Sequence, residues 1–152
     1  MIKRVVNPTE FKKLLDEIFI LFDYENAHHG HRLVKHNKEH ILRAFGDTSL
    51  LTWDFFVWGN LNSDNNFDAV IAFINNKNEK FGEEMFTEYI WLSKNPRVGQ
   101  RLLGTALKFA REKKFKYVLM SCVDAHPRSH KVARFYKRMG FLKDSETYIA
   151  KL

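Results

Sequence analysis

The chain is poor in the residues that mark several specialised classes of protein. It has one cysteine, Cys122, among 152 residues, so neither an internal disulfide nor a cysteine-based metal site can form. Three prolines and seven glycines are too few for a collagen-like or linker-like chain, and 45% hydrophobic residues are too many for a disordered one. This composition favours a folded protein of a reducing compartment, which we expect to be the cytoplasm.

Long hydrophobic runs are missing as well. The longest runs, Ile18 to Phe22 and Ala69 to Ile74, are far shorter than the roughly 20 residues that a membrane-spanning helix needs. No apolar segment follows the basic residues Lys3 and Arg4, so we expect no signal peptide. A membrane is not among the partners that we expect. The length is that of one ordinary domain, and the sequence predicts a single domain over residues 1–152.

Positive charge is concentrated in the second part of the chain. Residues 1–93 carry 10 Lys and Arg against 14 Asp and Glu, a net −4, whereas residues 94–152 carry 15 against 4, a net +11. The sum is the formal net charge of +7. Such an excess in one block indicates an anionic ligand, which charge alone leaves open as a nucleic acid, a membrane surface or a phosphorylated small molecule.

The spacing of apolar residues predicts an α+β chain in the order α-α-β-β-β-α-β-α-β. The predicted helices cover residues 9–24, 38–45, 99–114 and 129–139, and the predicted strands cover residues 50–58, 67–75, 84–92, 117–123 and 141–152. We expect the helices to pack on a mostly antiparallel sheet, with a right-handed parallel crossover between residues 84 and 123.

A cation-rich loop joins the strand ending at Leu92 to the helix predicted to begin at Gly99. A helix N-terminus offers backbone N–H groups to an anion, and a glycine there lets a ligand approach the backbone closely. Lys94, Arg97 and Arg101 add side-chain charge to a helix dipole that contributes only about 0.3–1 kcal/mol. The alternative is an ordinary connection whose glycine merely begins a helix.

A second segment lies in the last predicted helix, which ends Tyr136-Lys137-Arg138-Met139-Gly140-Phe141. Together the two segments resemble the GNAT superfamily of acyl-CoA-dependent N-acyltransferases. Lys94-x-x-Arg97-x-Gly99 stands where that family has the phosphate loop Gln/Arg-x-x-Gly-x-Gly/Ala, and the helix end matches the family's Tyr-x-x-x-Gly-Phe. The resemblance covers residues 84–152, and the N-terminal half agrees only in its order of elements.

The resemblance implies a GNAT-like fold and transfer of an acetyl group from acetyl-CoA to a primary amine, with no metal. It implies cofactor-binding roles for residues of the loop, the strand before it and the start of the last helix: Leu92, Lys94, Arg97, Val98, Gly99, Gln100, Arg101 and Ser129. The backbone of the strand ending at Leu92 would separate from the strand 117–123 and bind the pantetheine arm.

The resemblance also suggests the catalytic groups. Tyr136 stands at the family's usual tyrosine position and is the candidate acid that protonates the departing thiolate. Glu88 is the preferred base because it is central to its strand, with Glu84 and Glu83 as alternatives. Cys122 reads as a buried strand residue and not as a nucleophile.

The acceptor is not identified by the sequence. The alternatives are a small amine, an antibiotic, a protein N-terminus, a lysine or a charged tRNA, and a homodimer is common in such folds. The mildly acidic half, including the histidine-rich segment from His28 to His40, is expected to face the acceptor.

Three other hypotheses compete with the acyltransferase. His36-Asn37-Lys38-Glu39-His40 spells H-x-x-E-H, two histidines one helical turn apart with a glutamate between them, which can bind zinc in inverted zinc peptidases. A short match in a segment rich in His, Lys and Glu arises easily by chance, and no third ligand is identifiable. The basic block also allows a nucleic-acid-binding domain, and the altered phosphate loop allows a catalytically degenerate GNAT-like domain kept for structure or interaction.

Overall fold

The computed structural model describes residues 1–28, 55–78, 82–121 and 129–144. The predicted helix at residues 38–45 and residues 145–152 of the last predicted strand lie outside them. The elements of the described part are, in chain order, β1 (Ile2–Val5), α1 (Pro8–His28), β2 (Phe55–Leu61), β3 (Phe67–Asn78), β4 (Glu83–Ser93), α2 (Pro96–Glu112), β5 (Tyr117–Leu119) and α3 (Ser129–Arg138).

The strands form one sheet whose spatial order is the chain order, β1-β2-β3-β4-β5. The first three pairings are antiparallel, and β4 pairs with β5 in parallel. A parallel pair needs a crossover connection, and α2 lies in it. The predicted α+β class, a mixed α/β chain with a mostly antiparallel sheet, is therefore confirmed.

Strand β1 is absent from the sequence prediction, which began with a helix. It covers four residues, two of them the adjacent cations Lys3 and Arg4, and so shows no alternation of apolar and polar side chains. In the described sheet it is an edge strand, where charged residues are tolerated. The Arg4 guanidinium lies 4.7 Å from the ring centre of Phe109 and 5.4 Å from that of Phe56, and burial lowers the pKa of Arg4.

The first two helices begin earlier than predicted, and for the same reason. In each, an asparagine caps the helix and a proline occupies the first turn. The Asn7 side chain accepts a hydrogen bond from the Thr9 amide at 2.8 Å, and the Asn95 side chain accepts one from the Arg97 amide at 3.0 Å. Asparagine is among the best N-cap residues, and proline fits the first turn because its missing N–H would have had no partner there. The predicted start of α2 at Gly99 was therefore wrong by three residues.

The connection between β2 and β3 is shorter than the predicted strands 50–58 and 67–75 imply, because β2 continues to Leu61 through Gly59. A Cβ atom at Gly59 would lie 2.4 Å from the ring of Phe67 and 2.9 Å from Leu14. Gly59 is thus a strand residue that makes room for a neighbouring ring, a recognised use of glycine in strands. After α3, Phe141 to Asp144 do not form the predicted strand.

The two faces of the sheet carry separate hydrophobic cores. Helix α1 covers one face, where Phe11, Leu14, Ile18 and Phe22 pack against β2 and β3 residues such as Val57 and Val70. Helix α2 covers the other face, where Leu102, Leu103 and Ala106 pack against Phe56, Ile71, Phe73 and Phe86. The rings of Phe73 and Phe86 stack with their centres 4.0 Å apart and an angle of 8° between them. None of the described helices combines the length and the apolar character that crossing a lipid bilayer requires.

Candidate active site

The candidate site lies where β4 and β5 separate. The two strands are paired for three residues, from Met85 opposite Tyr117 to Thr87 opposite Leu119. Strand β4 continues to Ser93, and within the described residues it has no further partner on that side. We call the region beside the second half of β4, beyond its last pairing with β5, the wedge. The family resemblance implied a separation of these two strands.

A β-bulge in β4 lies at the start of this wedge. Ala72 of β3 is opposite Ile90 and Phe73 is opposite Glu88, which leaves Tyr89 without a counterpart on β3. Bulges bend a strand and redirect its side chains, and they are frequent beside active sites. Tyr89 is 43% exposed and its ring meets the ring of Phe55 edge-on at 6.0 Å.

The two predicted catalytic residues converge on the backbone of one residue, Ser121, at the same place. A carboxylate oxygen of Glu88 accepts a hydrogen bond from the Ser121 amide at 2.8 Å. The Tyr136 hydroxyl donates a hydrogen bond to the Ser121 carbonyl oxygen at 3.0 Å. Ser121 lies two residues beyond β5, so side chains of β4 and α3 take the place of the backbone hydrogen bonds that end with the strand pairing. We call Glu88, Ser121 and Tyr136 the Ser121 clamp.

The clamp limits what Tyr136 does in this state. Its side chain is buried, with the residue 8% exposed, and its hydroxyl hydrogen is used by the Ser121 carbonyl. The proton must leave the Ser121 carbonyl before it can be given to another group. The ring of Tyr136 packs near Trp91, with ring centres 6.2 Å apart and planes at 29°.

The end of α3 gives a structural reason for the tyrosine, the glycine and the phenylalanine of the Tyr-x-x-x-Gly-Phe segment. Gly140 has a φ of +86°, in the region that favours glycine, and its amide donates to the Lys137 carbonyl at 3.0 Å. The Phe141 amide donates to the Tyr136 carbonyl at 3.0 Å, and the two rings lie 5.5 Å apart. These are the two hydrogen bonds and the apolar contact of a Schellman motif, which here holds Tyr136 between Trp91 and Phe141.

The connection from β4 to α2 is only two residues long, Lys94 and Asn95. The Ser93 hydroxyl donates to the Asn95 carbonyl at 2.6 Å, and that carbonyl also accepts the Gly99 amide at 3.0 Å. Because Pro96 has no N–H and Arg97 donates to the Asn95 side chain, Val98 is the one residue of the first four in α2 whose amide has no acceptor within the described chain. The expected row of unpaired amides is therefore largely absent.

Gly99 has a structural reason of its own, beside the role in ligand approach that the sequence suggested. A Cβ atom there would lie 3.2 Å from the Ser93 Cβ and 3.3 Å from the Trp91 Nε1. The Trp91 indole donates to the Gly99 carbonyl at 3.2 Å. The close approach at Gly99 is thus made by protein side chains, which join the first turn of α2 to the end of β4.

The other predicted binding residues surround this connection. Lys94, Arg97, Gln100 and Arg101 are exposed, and Leu92 packs against the core beside α1. Ser129 begins α3, and its side chain lies outside the described part.

The two alternative bases lie at the paired end of β4, away from the wedge. Glu84 is exposed there. Glu83 accepts a hydrogen bond from Lys116 at 2.8 Å, and this bond raises the pKa of Lys116.

Two residues of the site were missed by sequence reasoning. Ser121 contributes only backbone groups, so no residue type could have indicated it. Trp91 could have been noticed as a large aromatic residue just before a loop, but only the structure shows that its indole anchors the first turn of α2. Cys122 and the His36–His40 motif lie outside the described residues, among which no group of three or more metal-binding side chains is found.

Solved structures with the same arrangement identify the fold. An aminoglycoside acetyltransferase from an uncultured soil metagenomic sample, in complex with sisomicin, aligns with a TM-score of 0.66 over 100% of this chain and 96% of its own, at 16% identity. A GNAT family acetyltransferase from Staphylococcus aureus aligns with a TM-score of 0.66 over 99% and 98%, at 13% identity. The chain has the GNAT fold.

A third structure with the GNAT fold, a ribosomal-protein-alanine N-acetyltransferase from Brucella melitensis, aligns with a TM-score of 0.64 over 100% of this chain and 99% of its own, at 12% identity. No family model matches the sequence, and no curated protein sequence matches it. At these identities the likeness to solved structures concerns the fold, and the activity must be argued from the chain's own residues.

Proposed function

We propose that this protein transfers an acetyl group from acetyl-CoA to a primary amine. The observation that carries the proposal is the wedge between β4 and β5 with Glu88 and Tyr136 at its vertex, in a chain with the GNAT fold. Similar structures include acetyltransferases described as acting on aminoglycosides and on ribosomal-protein alanine, so both an antibiotic and a protein N-terminus are sensible first acceptors to test.

The residues present suit the two parts of the donor differently. From Ile90 to Ser93, β4 is paired with β3 on one side and has no strand partner in the described chain on the other, which suits the amides of a pantetheine arm. The short loop offers a pyrophosphate few free amides, so we assign its attraction chiefly to Lys94, Arg97 and Arg101, with a contribution from the Val98 amide. Leu92, Gly99, Gln100 and Ser129 complete the proposed binding residues. When bound, acetyl-CoA supplies the acetyl group as a thioester.

Proton movements define the proposed catalytic roles. The amine nitrogen loses a proton, for which we propose Glu88 as the acceptor, directly or through water. The departing thiolate gains a proton, for which we propose Tyr136 as the donor. Because the Tyr136 hydroxyl is bonded to the Ser121 carbonyl, its role requires an exchange of hydrogen-bond partners during the reaction.

Calorimetric titration of the metal-free protein with acetyl-CoA tests the proposal. Micromolar affinity, about −8 kcal/mol, is expected if the wedge and the loop cations act together. Release of free thiol is then followed with sisomicin and with a peptide that begins with alanine. No binding up to millimolar acetyl-CoA would contradict the enzyme and favour a degenerate domain with the same fold. A cytoplasmic location and a single domain over residues 1–152 belong to the proposal and rest on composition and length.

A further inference from the structure

Every exposed residue of α3 whose side chain the structure describes is basic. These residues are His130, Lys131, Arg134, Lys137 and Arg138, and the helix contains no acidic residue. Their positions follow the helical repeat, so they form one continuous face about 12 Å long, opposite the Phe135 and Tyr136 rings that pack near Trp91. None of the five has an ion-pair partner within the described residues. We call these five residues the α3 basic face.

Helix α2 carries further exposed cations on the same side of the sheet. Its exposed arginines Arg97, Arg101 and Arg111 span about 21 Å along the helix at 1.5 Å per residue. Helices α2 and α3 lie on the same side of the sheet, as their contacts with Trp91 show. The Trp91 indole donates to the Gly99 carbonyl of α2, and its ring centre lies 6.2 Å from that of Phe135 in α3. One pyrophosphate at the loop accounts for Arg97 and Arg101. It leaves Arg111 and the α3 basic face unexplained.

The kind of side chain indicates the kind of anion. Arginine presents a rigid fork of donors that matches phosphate oxygens, and three of the cations beyond the loop, Arg111, Arg134 and Arg138, are arginines. Membrane-surface helices insert apolar side chains along one face, whereas the exposed large hydrophobic residues on this side, Met139 and Leu142, follow the end of α3 and none lies within α2 or α3. A nucleic-acid duplex presents about seven phosphates over 12 Å of its axis. A rigid array of phosphates therefore fits this surface better than a lipid surface does.

We propose that the α3 basic face binds the phosphodiester backbone of a nucleic acid, without reading its sequence. This interaction is separate from the proposed acetyl transfer, since its residues are not those assigned to the donor. The two proposals can also be tested separately, because acetyl-CoA binding is measured by calorimetry without any nucleic acid.

Fluorescence anisotropy with a labelled 20-base-pair RNA duplex, and the same sequence as DNA, tests the proposal across a series of salt concentrations. Saturable binding to either duplex is expected, with the logarithm of the affinity falling about 3 to 4 units per tenfold rise in salt. Arg134→Gln should weaken binding and reduce this slope by about 1. Lys12→Gln is the matched control, because Lys12 is an exposed cation on α1, on the opposite face of the sheet; it should leave the slope unchanged.

Several outcomes would overturn the proposal. They are no saturable binding at about 50 mM salt, an equal effect of Lys12→Gln, or complete displacement of the duplex by saturating acetyl-CoA. Displacement by polyglutamate as readily as by unlabelled duplex would point instead to an acidic protein. Binding to phosphatidylserine vesicles in the absence of duplex binding would point to a membrane. Thermal unfolding of each variant confirms that it is folded.

Discussion

Ser121 is held through its backbone, and this decides what substitutions around it can reveal. Glu88 accepts its amide hydrogen and Tyr136 donates to its carbonyl, at 2.8 and 3.0 Å. Each of the two side chains thus has a structural task beside its proposed chemical one. A substitution that removes both tasks together cannot separate them, so the informative variants keep the hydrogen bond and change the chemistry, or the reverse.

Tyr136→Phe removes the proposed acid while keeping the ring between Trp91 and Phe141. We expect turnover to fall about 10²- to 10⁴-fold, because the departing thiolate loses its proton donor. The lost hydrogen bond to an exposed residue should cost only about 0.5–1.5 kcal/mol of stability. Thiol release gives the turnover and calorimetry gives the acetyl-CoA affinity, which should stay within a few-fold. Unchanged turnover would reject Tyr136 as the acid.

Glu88→Gln and Glu88→Ala form a pair that separates proton transfer from the clamp. The glutamine oxygen can still accept from the Ser121 amide, so Glu88→Gln should keep the melting temperature yet lose turnover by about 100-fold or more if the carboxylate is the base. Glu88→Ala should lose both. The same charge change in Glu84→Gln, at the paired end of β4, tests the alternative base. Wild-type turnover in Glu88→Gln would assign Glu88 to positioning alone.

At the scale of elements, the ends of the helices are determined by local chemistry. Asn7-Pro8 and Asn95-Pro96 begin α1 and α2 in the same way, with a capping side chain and a proline in the first turn. Gly140 ends α3 with a left-handed residue. Each of these signals lies within a few residues of the helix end that it determines. The starts of α1 and α2 were predictable in principle from the Asn-Pro pairs, although the predicted helices begin at Thr9 and Gly99 instead.

Gly140→Ala and Gly104→Ala should change stability in opposite directions. At Gly140 the φ of +86° is unfavourable for alanine, so we expect a loss of about 1–2 kcal/mol. Gly104 lies inside α2, and a methyl group added there would meet nothing within 4 Å, so alanine should stabilise the helix by up to about 1 kcal/mol. Urea denaturation measures both. A neutral Gly140→Ala would show that the cap contributes little.

At the scale of the whole molecule, one sheet carries two cores. Phe73 and Phe86 stack at the centre of the core beneath α2, while Phe22 and Leu14 are fully buried beneath α1. Because β2, β3 and β4 contribute side chains to both, loss of packing on one face weakens the strands that support the other. This shared sheet is the physical basis for expecting one cooperative unit.

Thermal unfolding should therefore show a single transition, and Phe86→Ala should shift it as a whole. The cavity and the lost burial are expected to cost about 3–5 kcal/mol. Differential scanning calorimetry gives the number of transitions, and Phe22→Ala provides the matched change on the opposite face. Two separate transitions, each sensitive to only one of the substitutions, would contradict the single domain predicted from length.

What could be predicted from the sequence depended on how far apart in the chain the interacting residues lie. Helices α2 and α3 and the Tyr136 to Phe141 ending were predictable because helical spacing and caps are local. The separation after Thr87 was expected only through the family resemblance. Strand β1 and the Ser121 clamp were not predictable, because their partners lie far away in the chain. Strand β1 pairs with residues about 55 positions away, and the Ser121 amide donates to a side chain 33 positions away. The β-bulge in β4 was not predictable from the sequence either.

The bulge at Tyr89 also changes which residues of β4 face each helix. Before it, even-numbered residues such as Phe86 face α2; after it, the even-numbered Ile90 and Leu92 face α1, and the odd-numbered Trp91 faces α2. The single extra residue exchanges the parity of the strand. A chain shortened by one residue here would send the indole to the wrong side of the sheet, and α2 would lose its anchor at Gly99. We therefore expect the spacing of three residues between Glu88 and Trp91 to be required for the position of the indole, as much as the two side chains themselves.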